Sequence, residues 1–162
     1  MLITPPELAW IAAAAGFGTE PVNEVTYTDR EGHTVVTFLS DQVLAVAVAL
    51  AESGASIGGK IRGCYSDAVG VSSDKASENY GQVDLGVWQI SDRWHNEKLC
   101  RTGVNWRDPR DSAALAVEIH DDAGGWSPWS TFLSGSFKPF IEMALMAYRF
   151  PVPFRPSRFG GS

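Results

Sequence analysis

Apolar positions are densest over residues 43–51, where Val, Leu and Ala occupy every position. A helix with this pattern has no polar face, so we expect it to be buried on all sides. Ser40 and Asp41 are residue types that cap helix N-termini, and Gly54 is typical of a helix end. The sequence therefore predicts a central buried helix with Glu52 in its last turn.

The hydrophobic pattern also predicts the other elements of the chain. Apolar residues recur at helical spacing in three more segments, residues 7–15, 109–120 and 137–150. Two β-branched runs around a turn ending at Gly32 predict a β-hairpin over residues 25–38, either a surface decoration or a docking edge for a partner. Glycine-rich residues 54–79 predict irregular loops, and residues 151–162 predict an extended or disordered Pro/Arg/Gly tail.

Length and composition indicate one soluble domain. The chain has 162 residues, and we expect residues 1–150 to form a single domain with the hairpin as an insertion, followed by the tail. A net charge of −6 gives no general reason to bind nucleic acid or an anionic membrane. No apolar run approaches the roughly 20 residues of a membrane span. The apolar N-terminus has no Lys or Arg before it, so no signal peptide is expected.

The cysteines and histidines do not form a metal-binding pattern. Cys64 and Cys100 are far apart and belong to no CxxC motif, so zinc is not expected, and a disulfide or two separate thiols fit the sequence equally well. His120 is followed by two aspartates, for which a solvated helix end is a better explanation than a metal site. We expect neither metal nor cofactor.

Glu52 is the first candidate for chemistry. The unpaired carbonyl groups at a helix C-terminus and an apolar environment both disfavour a carboxylate, and both raise its pKa. A carboxyl group that keeps its proton near neutral pH can act as a general acid. The alternative is a solvated Glu at a frayed helix end.

Asp84 is the second candidate, in the polar segment 80–91. A carboxylate there could remain ionised opposite the acid. The alternative is an aspartate that caps the backbone of a turn or β-bulge.

Three segments resemble lysozymes. Residues 84–94 resemble the strand-and-turn segment of c-type lysozymes, Asp-x-Gly-x-x-Gln-Ile-Asn-x-Arg-Trp, with Ser91 in place of Asn. Trp126 and Trp129, after an acidic and glycine-containing turn, resemble the late tryptophan segment of that family. Glu52-Ser53-Gly54 resembles the tripeptide that carries the catalytic acid in lysozymes and lytic transglycosylases. In this order the motifs are similar to lysozyme-like domains of phages of actinobacteria.

The resemblance implies an α+β, lysozyme-like fold, mainly helical around a buried central helix, with a small β lobe carrying Asp84. It implies cleavage of the β-1,4 bond between N-acetylmuramic acid and N-acetylglucosamine in peptidoglycan. Glu52 would be the general acid with Trp126 against it, and Asp84 the ionised partner. Hydrolysis, lytic transglycosylation with an anhydro product, and a non-catalytic virion component remain the alternatives.

The expected substrate-binding residues lie in the same motifs. Trp88 and Trp129 are assigned to the core, Trp94 to the cleft, and Trp126 to both. The full set expected to bind the glycan strand is Tyr80, Gln89, Ser91, Trp94 and Trp126.

The resemblance also implies a phage context. The protein would belong to a virion, such as a phage tail, or be released at host lysis. Its expected partners are the peptidoglycan strand and other phage structural proteins, contacted through the hairpin or the C-terminal tail.

Overall fold

The computed structural model describes residues 1–155, which form a mainly helical α+β domain with three small sheets. Its helices are α1 (Pro5–Ala15), α2 (Asp41–Ser53), α3 (Asp92–Leu99), α4 (Pro109–Ala123), α5 (Ser130–Ser134) and α6 (Ile141–Arg149). Its strands are β1 (Leu2–Ile3), β2 (Asn23–Thr28), β3 (Thr34–Leu39), β4 (Gly54–Ile57), β5 (Lys60–Tyr65), β6 (Val69–Val71), β7 (Val83–Leu85) and β8 (Ile90–Ser91). The sheets have the orders β1-β5-β4, β2-β3 and β6-β7-β8.

Helix α2 is the centre of the core, as the sequence predicts. Every side chain from residue 43 to residue 50 is at most 3% exposed. The Ser40 hydroxyl caps the helix by accepting a hydrogen bond from the Val43 N–H at 3.3 Å. Helices α1 and α6 pack against α2. Burying each large apolar side chain contributes about 1.5–3 kcal/mol, so this helix provides much of the driving force for folding.

The end of α2 is also the beginning of strand β4. Gly54 has φ −57° and ψ 129°, so the chain passes from helix to extended backbone without a loop. A Cβ atom at this position would collide with the carbonyl oxygen of Leu50. Glu52 therefore lies at the junction between the helical core and the β strands.

The prediction of irregular loops over residues 54–79 is wrong for most of that segment. Strands β4 and β5 form a hairpin whose two-residue turn is Gly58-Gly59, and β6 follows. The φ angles of these glycines, +63° and +78°, are in the left-handed region that a tight hairpin turn requires. The glycines thus mark a turn. Residues 72–82 contain neither helix nor strand.

The predicted hairpin over residues 25–38 is confirmed as β2 and β3. One face of it packs on the core through Val25 and Leu39, each 4% exposed. Its turn is joined to α6, because the Arg30 backbone N–H donates to Glu142 at 2.7 Å. The opposite face leaves Phe38 57% exposed.

The C-terminal segment differs from its prediction in two ways. A 3-10 turn at residues 138–140, containing Pro139, precedes α6, so the predicted helix over 137–150 begins later. Phe154 is 3% exposed and the Val152 N–H donates to the carbonyl oxygen of Pro6 at 3.0 Å, so residues 151–155 of the predicted tail pack against the core. Composition gave no sign of this aromatic anchor. Residues 156–162 of the predicted tail lie outside the described residues.

The side chain of His120 is only 12% exposed, so the prediction that it lies at a solvated helix end is wrong. Helix α4 continues to Ala123 before Gly124 ends it, which places His120 one turn further inside. Its ring lies 4.9 Å from the Trp126 ring, and its Nε2 atom is 3.4 Å from an oxygen of Asp41.

Both cysteines are free thiols: Cys64 is buried and Cys100 is exposed. Within residues 1–155, none of the helices combines the length and apolar character that crossing a membrane would require.

Candidate active site

A cleft of about 310 Å³ lies between the β6–β8 sheet and the helices, and Glu52 lines it from the end of α2. Three groups of residues form its walls. The β side contributes Ser72, Asn79, Gln82, Asp84, Gln89 and Ile90, the helical side Ile119, Pro128, Trp129 and Ser130, and the α3 region Ser91, Trp94 and His95. The two carboxyl groups predicted to perform the chemistry therefore face the same space.

Glu52 is a partly buried acid that Thr131 holds by hydrogen bonding. The Thr131 hydroxyl donates to its Oε1 atom at 2.8 Å. Burial raises the pKa of Glu52, hydrogen bonds from the hydroxyl and the backbone of Thr131 oppose that rise, and the charge of Asp84 raises the pKa further. The net direction is upward, as expected for a general acid.

Asp84 lies in the middle of β7, where it is paired with Gly70 of β6 and Ser91 of β8. Its Oδ1 atom accepts a hydrogen bond from the Gln82 amide at 2.8 Å. Burial raises the pKa of Asp84, the Gln82 hydrogen bond opposes this, and Asp92 raises the pKa. The aspartate that binds backbone here is Asp92, which accepts from the Val83 N–H at 3.0 Å.

Gln89 holds the β wall together. It has a φ of +48°, and it is the one non-glycine residue with positive φ in residues 1–155. Its amide nitrogen donates to the carbonyl oxygens of Gly86 at 2.9 Å and of Ala68 at 3.2 Å. Its amide oxygen occupies the space that a Cβ atom at Gly70 would need. A strained backbone is retained where the surroundings enforce it, and here it supports the strands around Asp84.

The tryptophans divide differently from the prediction. Trp88 is completely buried, and Trp129 is 4% exposed yet also lines the cleft. Trp94 is 65% exposed at the cleft, as expected of a residue that stacks on sugar. Trp126 is 2% exposed, stacks on Phe17 at 5.3 Å and does not line the cleft. The prediction that Trp126 reaches the cleft and packs on Glu52 is wrong, because motif spacing cannot tell which of two neighbouring indoles faces inward.

Ser91 and Tyr80 are two further predicted binding residues: one caps a helix at the cleft, and the other lies outside the cleft. Ser91 lines the cleft, and its hydroxyl caps α3 by accepting from the Trp94 N–H at 3.3 Å. Tyr80 is 54% exposed and is not one of the cleft-lining residues, whereas its neighbour Asn79 is. Of the five residues predicted to bind the glycan strand, the cleft is thus lined by Gln89, Ser91 and Trp94.

Sequence reasoning missed three residues of the site, Thr131, Gln82 and His95. The first two donate to the candidate carboxyl groups. His95 interrupts α3 with non-helical angles, φ −129° and ψ 24°, and lines the cleft. Burial lowers the pKa of His95, Lys98 lowers it further and Asp122 opposes both. Neither pattern nor periodicity marks these positions, although the closeness of Gln82 to Asp84 in sequence is a usable signal.

The described part of the chain contains no group of three or more His, Cys, Asp or Glu side chains that could hold a metal ion. The cleft itself presents two carboxyl groups, their amide and hydroxyl donors, and an imidazole.

The raised pKa of Glu52 predicts a pH-dependent effect on stability. Because the folded protein holds this proton more tightly than the unfolded chain, deprotonation at neutral pH destabilises the fold. The loss of stability is complete above the pKa that Glu52 has in the folded protein. It disappears below the pKa that Glu52 has in the unfolded chain, because both states are protonated there. We expect Glu52→Gln to melt at a higher temperature than wild type at pH 7 in scanning calorimetry, with the gap closing as the pH falls through the usual carboxyl range. A gap that widens on acidification would contradict the assignment.

Comparison with known proteins agrees with this geometry. A family model described as a lysozyme-like domain matches residues 32–131, a range that includes Glu52, Asp84 and Thr131. No curated protein and no solved structure gave a significant match. The predicted α+β fold, mainly helical around a buried helix with a small β lobe, is confirmed. Because the match extends over more than half of its length, the chain belongs to the family of lysozyme-like domains.

Proposed function

We propose that the protein cleaves the β-1,4 bond between N-acetylmuramic acid and N-acetylglucosamine in peptidoglycan, with Glu52 as general acid. Membership of the lysozyme-like family supports peptidoglycan-cleaving activity in general. The observation that carries the finer proposal is that Glu52, a half-buried carboxyl group with a raised pKa, lines one cleft together with Asp84.

The reaction begins with proton transfer from Glu52 to the oxygen of the leaving sugar. As the bond breaks, positive charge develops on the other sugar ring, in an oxocarbenium-like transition state. Asp84 lies on the β wall, where its carboxylate stabilises that charge or directs a water molecule. Glu52, now a carboxylate, accepts a proton from the attacking group and is restored.

Two products are compatible with these residues. If Asp84 assists a water molecule, the product is a reducing muramic acid end. If the 6-hydroxyl of the muramic acid attacks instead, Glu52 acts as acid and then as base, and the product is an anhydro-muropeptide. We favour hydrolysis, because the charge of Asp84 acts on Glu52 across the cleft and the carboxylate is held by Gln82.

Muropeptide analysis of digested sacculi tests the proposal. Mass spectrometry separates the two products, because the anhydro product is one water lighter. We expect wild type to release reducing ends and Asp84→Asn to lower that rate about 100-fold. The matched control is Asp67→Asn, whose side chain is 62% exposed outside the cleft.

Each remaining outcome of that experiment is informative. Anhydro products at the same rate in wild type and Asp84→Asn would assign the protein to the lytic transglycosylases. No fragments from wild type would overturn the enzymatic proposal in favour of a non-catalytic component that uses this fold for assembly or wall binding.

The phage context remains part of the proposal and depends on the sequence resemblance. In that context the enzyme acts on the bacterial wall from a virion or after release at lysis. The exposed hairpin face around Phe38 is available for another structural protein.

A further inference from the structure

The Glu52 carboxyl group is held from the helical side of the cleft by a donor that is itself firmly anchored. Thr131 is the second residue of the short helix α5, directly after the cleft-lining Trp129 and Ser130. Its own carbonyl oxygen accepts the Phe137 N–H at 3.2 Å, and Phe137 is 2% exposed. The Phe137 ring stacks on the Phe132 ring at 4.9 Å. The hydroxyl that reaches Glu52 is therefore attached to the packed core.

The backbone next to Glu52 is fixed from the opposite side. The Ser53 hydroxyl donates to the carbonyl oxygen of Val87 at 2.7 Å, which joins the end of α2 to the segment between β7 and β8. With the backbone held there, the remaining freedom of Glu52 lies in its side-chain torsions. The 2.8 Å hydrogen bond from Thr131 to Oε1 restricts those torsions.

That hydrogen bond also distinguishes the two oxygens of the carboxyl group. The carbonyl oxygen of a protonated acid is its better acceptor, so a hydroxyl that donates to one oxygen favours the proton on the other. With Oε1 turned to Thr131, Oε2 is the oxygen left free to carry the proton in the acid form.

We propose that Thr131 is a positioning residue, which binds Oε1 of Glu52 so that Oε2 delivers the proton to the glycosidic oxygen. The inference rests on the proposed function of Glu52 as general acid. Once the proton has left, Glu52 carries a full negative charge and the same hydrogen bond becomes charge-assisted, hence stronger. Thr131 therefore stabilises the state after proton transfer more than the state before it, which is the condition for accelerating the reaction.

The electrostatics of the site agree with this geometry. The Thr131 hydrogen bond lowers the pKa of Glu52 against the larger effect of burial. Removing the hydroxyl should therefore raise the pKa of Glu52 and move the alkaline limb of the pH–rate profile to higher pH. A residue with only a structural role would change the height of that profile and leave its limb in place.

The test compares Thr131→Val, which removes the hydroxyl at nearly constant volume, with Thr131→Ser, which keeps it. We expect Thr131→Val to lower kcat for peptidoglycan about 10- to 100-fold, the range for loss of a hydrogen bond to a charged group. KM should change little, and the alkaline limb should move upward. Thr131→Ser should retain most of the wild-type rate and the wild-type limb. If circular dichroism shows that Thr131→Val is unfolded, Thr131→Ala replaces it in the test, because it removes the same hydroxyl without adding a methyl group in its place.

A second readout separates this inference from the proposed function. The pKa of Glu52 can be followed by carbon NMR of the labelled carboxyl group in wild type and Thr131→Val, whether or not either protein is active. An active wild type whose Thr131→Val variant keeps the same kcat and the same limb would overturn the role of Thr131 and leave the proposed function intact. An inactive wild type whose Glu52 pKa still rises in Thr131→Val would overturn the proposed function, and the role of Thr131 in catalysis with it.

Discussion

Glu52→Gln is expected to abolish the clearing of peptidoglycan suspensions, with kcat reduced about 1,000-fold, within the range that general acid catalysis provides. The amide has nearly the shape of the carboxyl group, and its oxygen can still accept the Thr131 hydrogen bond, so the cleft should keep its geometry. The amide cannot give up a proton to the leaving sugar. The effect should therefore appear in the turbidity assay and not in the circular dichroism spectrum.

Glu24→Gln is the matched control, since it makes the same change at an exposed position of β2 outside the cleft. It should clear peptidoglycan at the wild-type rate. If wild type is active and Glu52→Gln retains a tenth or more of its rate, Glu52 is not the proton donor.

Trp88→Ala is expected to lower the free energy of unfolding by about 3–5 kcal/mol, the range for removing a large aromatic side chain from a core. Trp88 is completely buried, and its indole N–H donates to the carbonyl oxygen of Ala45 in α2 at 3.0 Å. Its own carbonyl oxygen accepts the indole N–H of Trp129 at 2.9 Å. The substitution opens a cavity under the central helix, and urea denaturation followed by circular dichroism measures the loss.

Trp94→Ala provides the contrast. Because Trp94 is 65% exposed, its removal should change the free energy of unfolding by no more than about 0.5 kcal/mol. Trp94→Ala should also weaken the binding of N-acetylglucosamine oligomers to the Glu52→Gln protein, measured by calorimetry.

For Trp88→Ala, a loss in the free energy of unfolding below about 1 kcal/mol would contradict the prediction and show that the core near α2 relaxes around the missing ring.

The central helix could be predicted from sequence because three independent signals agree. An all-apolar run, a Ser with the correct spacing for an N-cap, and a terminal glycine all indicate the same boundaries, and the structure places α2 between them. The position of Glu52 follows from that agreement. For Asp84, the predicted polar segment 80–91 contains β7, where tertiary pairing with two strands brings Asp84 to the cleft.

Other parts of the fold and of the site depend on contacts that no local pattern encodes. Two adjacent glycines, as at positions 58 and 59, fit an irregular loop as well as a tight hairpin turn. Only the pairing of β4 with β5 shows that they form a turn. Trp126 and Trp129 are three residues apart, and their packing against Phe17 and Trp88 decides which one lines the cleft. The hydrogen bond from Thr131 to Glu52 joins residues 79 positions apart in sequence.

Because α2 passes into β4 without a loop, the junction between Ser53 and Gly54 should not tolerate an inserted residue. One inserted residue that extended the helix would rotate β4 by about 100° around the helix axis relative to the acid. If it extended the strand, every side chain of β4 would exchange faces. Natural variation in the length of this domain should therefore accumulate in loops away from the cleft, such as residues 100–107, and bypass the helix–strand joint altogether.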